Sequence, residues 1–188
     1  MRADILVVGG GIGGLTAALA LARDGHRVRV LEKAAQFAEL GAGLQLAPNA
    51  TRVLAGLGVL GRVLEAGVRP RRLLLRSALT ARELTALDLG EPFRARYGAP
   101  YVVMHRSDLL AILYDGCLAA GVGLQAGQDV IAVAGDDGAA TAECADGTGY
   151  RGSVLIAADG LHSGVRALFS ADRPVCSGFC RLSRHGQD

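Results

Sequence analysis

The chain has 188 residues, of which 51% are hydrophobic and 20% charged, so it can bury a core and is not disordered by composition. Twenty basic and eighteen acidic side chains give a net charge of +2, which is too balanced to favour nucleic acid or an acidic membrane surface as a partner. No apolar run reaches the roughly 18 residues of a membrane span, and the N-terminus lacks the layout of a signal peptide. The sequence therefore predicts a cytoplasmic protein without a membrane span.

The N-terminal segment predicts a strand, a Gly-rich turn, a helix and a second strand. Residues 4–8 form a short apolar run, which is typical of a buried parallel strand. Residues 9–14 are predicted to be a turn, and residues 15–23 an Ala- and Leu-rich helix. The second strand covers residues 26–31 and ends on Glu32. This order of elements indicates a βαβ unit that binds a dinucleotide.

The turn fits the pattern G-x-G-x-x-G, with Gly9, Gly11 and Gly14 in the three glycine positions. Gly9 would permit a tight turn, Gly11 would let a pyrophosphate approach the backbone, and Gly14 would let the helix pack close to the sheet. The N–H groups and the partial positive charge of the helix N-terminus favour phosphates. At the end of the second strand, Glu32 can accept hydrogen bonds from ribose hydroxyls. Its charge disfavours the 2′-phosphate of NADP, which leaves FAD and NAD as alternatives.

The rest of the chain alternates between short strands and helices. Asp136-Asp137-Gly138 and Asp146-Gly147 predict hairpin turns, and Pro48 predicts the first turn of a helix. A second apolar run at residues 154–158 predicts another buried strand beside the first one. The other predicted elements are an extended segment at 43–47, helices at 48–57, 106–120 and 165–169, strands at 72–76, 83–89 and 101–104, and several strands between 122 and 151.

Two polar segments follow predicted strands. The segment His105-Arg106-Ser107-Asp108 places an arginine at a helix start, where it can reach a phosphate or a ribityl chain. The alternative is an exposed arginine on a helix surface. Asp159-Gly160 follows the second apolar strand and can hydrogen-bond a ribose or a water bound to a pyrophosphate; the alternative is a plain turn.

Neither the basic cluster nor the cysteines indicates a ligand site. The basic cluster is interpreted as a solvated strand or loop. The cysteines are predicted to be reduced thiols, and no metal site is predicted because no paired ligands accompany the two that lie four residues apart. The cluster consists of Arg69, Arg71, Arg72 and Arg76, and the cysteines are Cys117, Cys144, Cys176 and Cys180.

In this order and spacing, the motifs resemble those of the group A flavoprotein aromatic hydroxylases. The Gly-rich turn with Glu32 matches their FAD fingerprint, and Arg106 matches the arginine that contacts their flavin. The segment from Asp159 to Arg166 matches their Asp-Gly motif, which serves FAD and the nicotinamide cofactor. Residues 41–50 look like their strand and helix beside the isoalloxazine ring. The resemblance runs from about residue 3 to about residue 178.

Within this family, residues 79–84 and 89–101 look most similar to 3-hydroxybenzoate 6-hydroxylases and their salicylate hydroxylase relatives. The resemblance implies an α/β fold of the p-hydroxybenzoate hydroxylase type: a Rossmann-like FAD-binding βαβ fold with a parallel sheet, plus antiparallel strands of an incomplete substrate domain. It divides the chain into a discontinuous FAD-binding domain (1–70 and 101–170), the start of the substrate-domain sheet (71–100) and an atypical tail (171–188).

The resemblance also implies an activity. FAD, reduced by NADH or NADPH, would use O₂ to hydroxylate a small phenolic acid of the 3-hydroxybenzoate or salicylate type. No residue is identified as the acid–base group, and His105 and His162 are interpreted as structural or flavin-side contacts. The residues implied to contact FAD are Gly9, Gly11, Ile12, Gly13, Gly14, Glu32, Lys33, Gly43, Leu44, Arg106, Val130, Asp159 and Gly160.

The C-terminal segment departs from the family. Family members are substantially longer, and residues 180–188 do not resemble their continuation. Residues 174–175 predict the start of a strand, but residues 181–188 have no apolar period. We therefore expect a truncated form, with a natural short form as the alternative. In a truncated form, apolar faces of the strands around residues 72–103 would lack partners. The alternative functions are a non-catalytic fragment that binds nucleotide and an NAD-dependent dehydrogenase, against which the Asp-Gly motif speaks.

Overall fold

The structure is a computed structural model that describes residues 2–38, 43–136 and 138–175. The chain divides into two compact units: the first unit is Met1–Leu40 with Leu110–Asp188, and the second unit is Gly41–Leu109. In chain order the elements are β1 (Asp4–Val8), α1 (Ile12–Arg23), β2 (Arg27–Glu32), β3 (Gly43–Leu46), α2 (Pro48–Gly56), α3 (Leu60–Ala66), β4 (Arg72–Arg76), β5 (Glu83–Asp88), α4 (Glu91–Tyr97), β6 (Val102–His105), α5 (Arg106–Ala119), β7 (Gly123–Ala126), β8 (Val130–Asp136), β9 (Ala139–Cys144), β10 (Gly149–Gly152), β11 (Val154–Ala157) and α6 (Gly164–Phe169).

The first unit is built on a parallel sheet in the order β11-β1-β2-β7. In the register of this sheet, Val7 of β1 lies between Val30 of β2 and Ile156 of β11. The prediction that the second apolar run pairs with the first strand is therefore confirmed. The parallel sheet and the separate antiparallel sheet β10-β9-β8 together confirm the predicted α/β class.

The two faces of the parallel sheet are covered by different elements. Leu6 and Leu31 form a cluster with Ala142 of β9, so the antiparallel sheet packs on one face. Since side chains alternate along a strand, Val7 and Val30 point to the opposite face, where α1 contacts β1 and β2. Both valines are completely buried. The core of the first unit thus lies on both sides of β1 and β2.

Several predicted details are wrong. The strand β11 is not buried: Val154 is 47% exposed, because β11 is the edge strand of the described sheet and pairs only with β1. Apolar composition alone does not distinguish an edge strand from a central one. The first helix begins at Ile12 rather than at residue 15, because two turn glycines form its first turn. Residues 174–175 are not in a strand.

The second unit contains the antiparallel pairs β3–β6 and β4–β5 and the short helices α2, α3 and α4. Its core includes Val63 and Val102, both fully buried, and Leu54. The equally buried Thr51 donates a hydrogen bond from Oγ1 to the carbonyl oxygen of Pro100 at 2.8 Å. The seven-residue helices α3 and α4 were not predicted from the sequence.

The hairpin of β4 and β5 confirms the two strands predicted there. Leu73 lies opposite Leu87, and Leu75 lies opposite Thr85, so these leucines share one face of the hairpin. Leu73, Leu75 and Leu87 are 45%, 58% and 48% exposed, which agrees with the expectation of an apolar face without a partner in the described part of the chain. The predicted domain boundaries stay a prediction.

In the described ranges, no helix combines the length and the apolar character that crossing a membrane requires.

Candidate functional site

The Gly-rich turn connects β1 to α1 and depends on glycine at two positions. Gly9 has a φ of +104°, and a Cβ atom there would lie 2.4 Å from the carbonyl oxygen of Ala158. A Cβ atom on Gly14 would lie 1.9 Å from the carbonyl oxygen of Gly9. The tight turn at Gly9 and the close packing at Gly14 are therefore confirmed, since any side chain would clash with backbone at both positions.

The N-terminus of α1 carries the donors of the site. Gly11 is the N-cap residue, no side chain caps the helix, and the first turn contains no acidic residue. A Cβ atom on Gly13 would meet nothing within 4 Å, so the space beside this residue is open. Ile12 and Gly13 thus begin a 12-residue helix whose first N–H groups have no intrahelical acceptor. Such an end attracts an anion.

Glu32 is the last residue of β2, and its carboxylate is held beside the turn. Its Oε2 atom accepts a hydrogen bond from the N–H of Gly10 at 2.6 Å, and its Oε1 atom accepts one from the N–H of Ala34 at 2.8 Å. A carboxylate has about four acceptor sites, so two of them can still receive hydroxyl donors. The next residue, Lys33, is exposed.

Asp159 and Gly160 follow β11 and lie beside the same turn. A Cβ atom on Gly9 would be 2.9 Å from the Cα atom of Asp159. The Asp159 carboxylate accepts hydrogen bonds from the Ser163 hydroxyl at 2.6 Å and from the N–H of Val165 at 3.1 Å. Burial acts to raise the pKa of Asp159, but these hydrogen bonds outweigh it, so the pKa is lowered. Gly160 has a φ of +83°, which shapes the turn that follows.

Val130 is the first residue of β8, and the segment before it is attached to the end of β2. The N–H of Gln128 donates to the Glu32 carbonyl oxygen, and the N–H of Gly127 donates to that of Ala34, each at 2.8 Å. The first unit therefore gathers the predicted residues of the Gly-rich turn, the end of β2, the start of β8 and the Asp159 loop.

The remaining predicted residues belong to the second unit. Gly43 and Leu44 lie on β3, where they pair with His105 and Met104 of β6. Arg106 follows β6 directly as the first residue of α5 and is half-buried. The structure thus brings Gly43, Leu44 and Arg106 to neighbouring positions of the second unit.

Two residues of the site were missed from the sequence. A Cβ atom on Gly10 would lie 2.4 Å from Cε1 of Phe37, so the Phe37 ring packs directly on the turn. Nothing in the sequence indicates this contact, because Gly10 occupies a variable position of the motif. Ser163, the N-cap of α6, donates its hydroxyl to Asp159. A serine before a short apolar run is a helix-start signal that could have identified it.

The arrangement has the chemistry of a dinucleotide site. Uncapped N–H groups, the Glu32 carboxylate and the Asp159 loop meet where the parallel strands β1, β2 and β11 end. This carboxyl edge is where open α/β sheets bind ligands. The N–H groups suit a pyrophosphate, and the Glu32 carboxylate suits ribose hydroxyls.

Comparisons with known proteins also place the chain among proteins that bind a dinucleotide, FAD. A family described as "FAD binding domain" matches residues 2–182. The chain is 41% identical to 3-hydroxybenzoate 6-hydroxylase 1 of Aquipseudomonas alcaligenes over 98% of its own length and 46% of that relative. It is 40% identical to a 3-amino-4-hydroxybenzoate 2-monooxygenase of Streptomyces platensis over 94% of the chain and 44% of the relative. Among solved structures, the crystal structure of Klebsiella pneumoniae HpxO complexed with FAD and uric acid is similar to this chain with a TM-score of 0.77 and 31% sequence identity. The similarity covers 88% of this chain and 41% of the HpxO chain. The chain thus spans less than half the length of these relatives.

Proposed function

The chain belongs to the FAD binding domain family, and we propose that it binds FAD as part of an FAD-dependent monooxygenase. The two curated relatives named above are aromatic hydroxylases. The observation that carries this proposal is the uncapped N-terminus of α1 beside the fixed carboxylate of Glu32. These groups fit two features of FAD, its pyrophosphate and the ribose of its adenosine.

Each part of the site has a distinct role in this proposal. The N–H groups of Gly11, Ile12 and Gly13 bind the pyrophosphate, and the open space beside Gly13 admits it. Glu32 accepts hydrogen bonds from the ribose hydroxyls, held in place by the N–H of Gly10. The remaining predicted contacts are proposed for the rest of the cofactor: Lys33, Gly43, Leu44, Arg106, Val130, Asp159 and Gly160.

The substrate class follows from the relatives. Both relatives named above act, by their names, on hydroxybenzoates, so we propose a small phenolic acid as the substrate, with O₂ and NADH or NADPH as co-substrates. Bound FAD supplies the redox chemistry and the activation of oxygen. The described residues contribute by binding and orienting the cofactor.

We also propose a cytoplasmic location, since the buried Cys117 and Cys144 are free thiols, as is usual in a reducing compartment.

The Glu32 contact gives a direct test with a matched control. We expect Glu32→Gln to weaken FAD binding by about tenfold, since the amide carries no charge and accepts fewer hydrogen bonds. Glu143→Gln makes the same change at an exposed glutamate on β9, outside the proposed site, and is expected to alter affinity by about threefold at most. Quenching of flavin fluorescence during titration measures both. Equal affinities for the wild-type chain and Glu32→Gln would contradict the proposed site.

A further inference from the structure

A small cleft lies in the second unit, between the segment before β4 and the start of α4. Its volume is about 290 Å³, near the lower end of about 300–1,000 Å³ for ligand pockets, so it suits a single ring better than a dinucleotide. Basic side chains and apolar walls line it together. The basic side chains are Arg69, Arg71 and Arg94, the apolar walls come from Pro70, Leu89 and Pro100, and the one acidic residue is Glu91.

The charge of the cleft is positive and mostly uncompensated. Arg94 Nη1 lies 3.9 Å from Glu91 Oε2, and both side chains are largely exposed. Within the described residues, neither Arg69 nor Arg71 has a carboxylate within ion-pair distance. Two guanidinium groups therefore remain available to an anion. The sequence alone suggested only a solvated basic cluster here.

The backbone that carries these arginines is fixed on both sides. Before Arg69, the N–H and carbonyl groups of Val68 exchange hydrogen bonds with those of Val103, each at 2.8 Å. After it, the carbonyl oxygen of Arg71 accepts a hydrogen bond from the N–H of Leu89, also at 2.8 Å. The arginines thus project from a segment that is already ordered, which lowers the entropic cost of binding.

The apolar walls are equally well held. Leu89 is only 7% exposed, and Pro70 and Pro100 are half-buried. The carbonyl oxygen of Pro100 accepts the hydrogen bond of the buried Thr51 hydroxyl, which fixes this wall from behind. Rigid apolar surfaces beside a guanidinium pair form a place for a flat ring that carries a carboxylate.

We propose that this cleft binds a small aromatic carboxylate, with its carboxylate on Arg69 and Arg71 and its ring against Pro70, Leu89 and Pro100. Guanidinium groups bind carboxylates in a planar, two-pronged geometry, and the apolar walls distinguish an aromatic acid from inorganic phosphate. The identity of the acid, a hydroxybenzoate, rests on the proposed function. The cleft itself lies wholly in the second unit, so its binding can be measured without FAD.

The test is calorimetric titration of 3-hydroxybenzoate into the full 188-residue chain at 0.15 M salt. We expect saturable 1:1 binding in the millimolar range. The double variant Arg69→Gln/Arg71→Gln is expected to bind at least about tenfold more weakly. The matched control Arg72→Gln/Arg76→Gln removes the same charge from β4, outside the cleft, and is expected to stay within about twofold of the wild-type chain. All four arginines are exposed, so both double variants should fold. The midpoints of urea unfolding would check this.

Two further ligands identify what the cleft recognises. 3-Hydroxybenzyl alcohol has the same ring without the carboxylate, and inorganic phosphate has the charge without the ring; both are expected to bind at least about fivefold more weakly. Equal binding of either one, no saturable binding of the acid, or equal losses in the two double variants would overturn the inference. FAD titration of the same samples separates it from the proposed function. Loss of acid binding with FAD binding intact refutes the cleft alone, whereas a chain that binds no FAD refutes the proposed function.

Discussion

The neighbouring residues Gly13 and Gly14 should respond in opposite ways to the same substitution. In Gly14→Ala the new Cβ atom would lie 1.9 Å from the Gly9 carbonyl oxygen, whereas real Cβ contacts are essentially never shorter than 3.0 Å. That oxygen belongs to a turn whose own N–H, on Gly9, donates to the Leu31 carbonyl oxygen at 2.8 Å, so the turn cannot move away without breaking this bond. In Gly13→Ala the Cβ atom would meet no atom within 4 Å apart from its chain neighbours and the backbone of its own helix.

The expected magnitudes follow from these contacts. Overpacking costs about 1–3 kcal/mol, and more where backbone must move, so Gly14→Ala should lower the free energy of unfolding by at least about 2 kcal/mol. Replacing glycine by alanine in a helix without a clash stabilises it by about 0.5–1 kcal/mol, so Gly13→Ala should be as stable as the wild-type chain or slightly more stable.

Urea unfolding, followed by circular dichroism, measures both effects as shifts of the midpoint at constant slope. Gly13→Ala should nevertheless weaken FAD binding, because its methyl group would enter the open space proposed for the pyrophosphate. If Gly14→Ala were as stable as Gly13→Ala, the close contact between α1 and the turn, and the explanation of the third motif glycine, would be refuted.

Three further predictions concern Asp159, two cysteines and Thr51. The pKa of Asp159 is lowered, so its hydrogen bonds stabilise the fold at pH values above the unfolded-state pKa of about 3.9, and this stabilisation is lost as the pH falls through the lower folded-state pKa. The gap between the urea midpoints of the wild-type chain and Asp159→Asn should therefore narrow as the pH falls below about 5; a gap that does not narrow would contradict this. Burial raises the pKa of the Cys117 thiol to about 11, and burial together with the nearby charges of Asp146 and Asp129 raises the pKa of the Cys144 thiol. Peptide mapping should therefore show that iodoacetamide labels neither thiol at pH 8 until urea unfolds the chain. Thr51→Val should cost about 1–3 kcal/mol of stability because it leaves the Pro100 carbonyl oxygen without its partner, whereas Thr51→Ser should cost less; equal losses would show that the hydroxyl is not responsible.

The elements that the sequence predicted well are those whose signals are local. The alternation of apolar strands with glycine-rich turns identified β1, β2 and the turn between them, and the motif spacing placed Glu32 at the end of β2, where the structure has it. The Asp-Gly turn signals likewise located the hairpins of the antiparallel sheet. Each of these features is encoded by residues close together in the chain.

The features that were missed depend on contacts between distant segments. The packing of Phe37 on Gly10 and the edge position of β11 are decided by which strands and loops meet, and no local pattern encodes this. The helix α4 is different, because a proline in its first turn and Gly98 at its end, with a φ of +71°, were available signals. Its sequence was too short for a helical period to be visible, since seven residues make only about two turns.

The arginines of the basic cluster also depend on contacts between distant segments, which the sequence did not reveal. Arg69 and Arg72 are equivalent members of the basic cluster in the sequence, but of these two only Arg69 lines the cleft. Arg72 lies on the exposed hairpin, where its Nη2 atom is 3.4 Å from Glu83 Oε1. The difference arises from the pairing of Val68 with Val103, which are 35 residues apart.

The central claim, that the Gly-rich turn with Glu32 is an FAD site, is tested most directly by titrating FAD and NAD separately into the same preparation of the chain. Calorimetry reports the stoichiometry and affinity of each. We predict that FAD binds at one site per chain and at least about tenfold more tightly than NAD. Binding of NAD in preference to FAD, or no FAD binding by a folded chain, would contradict the account.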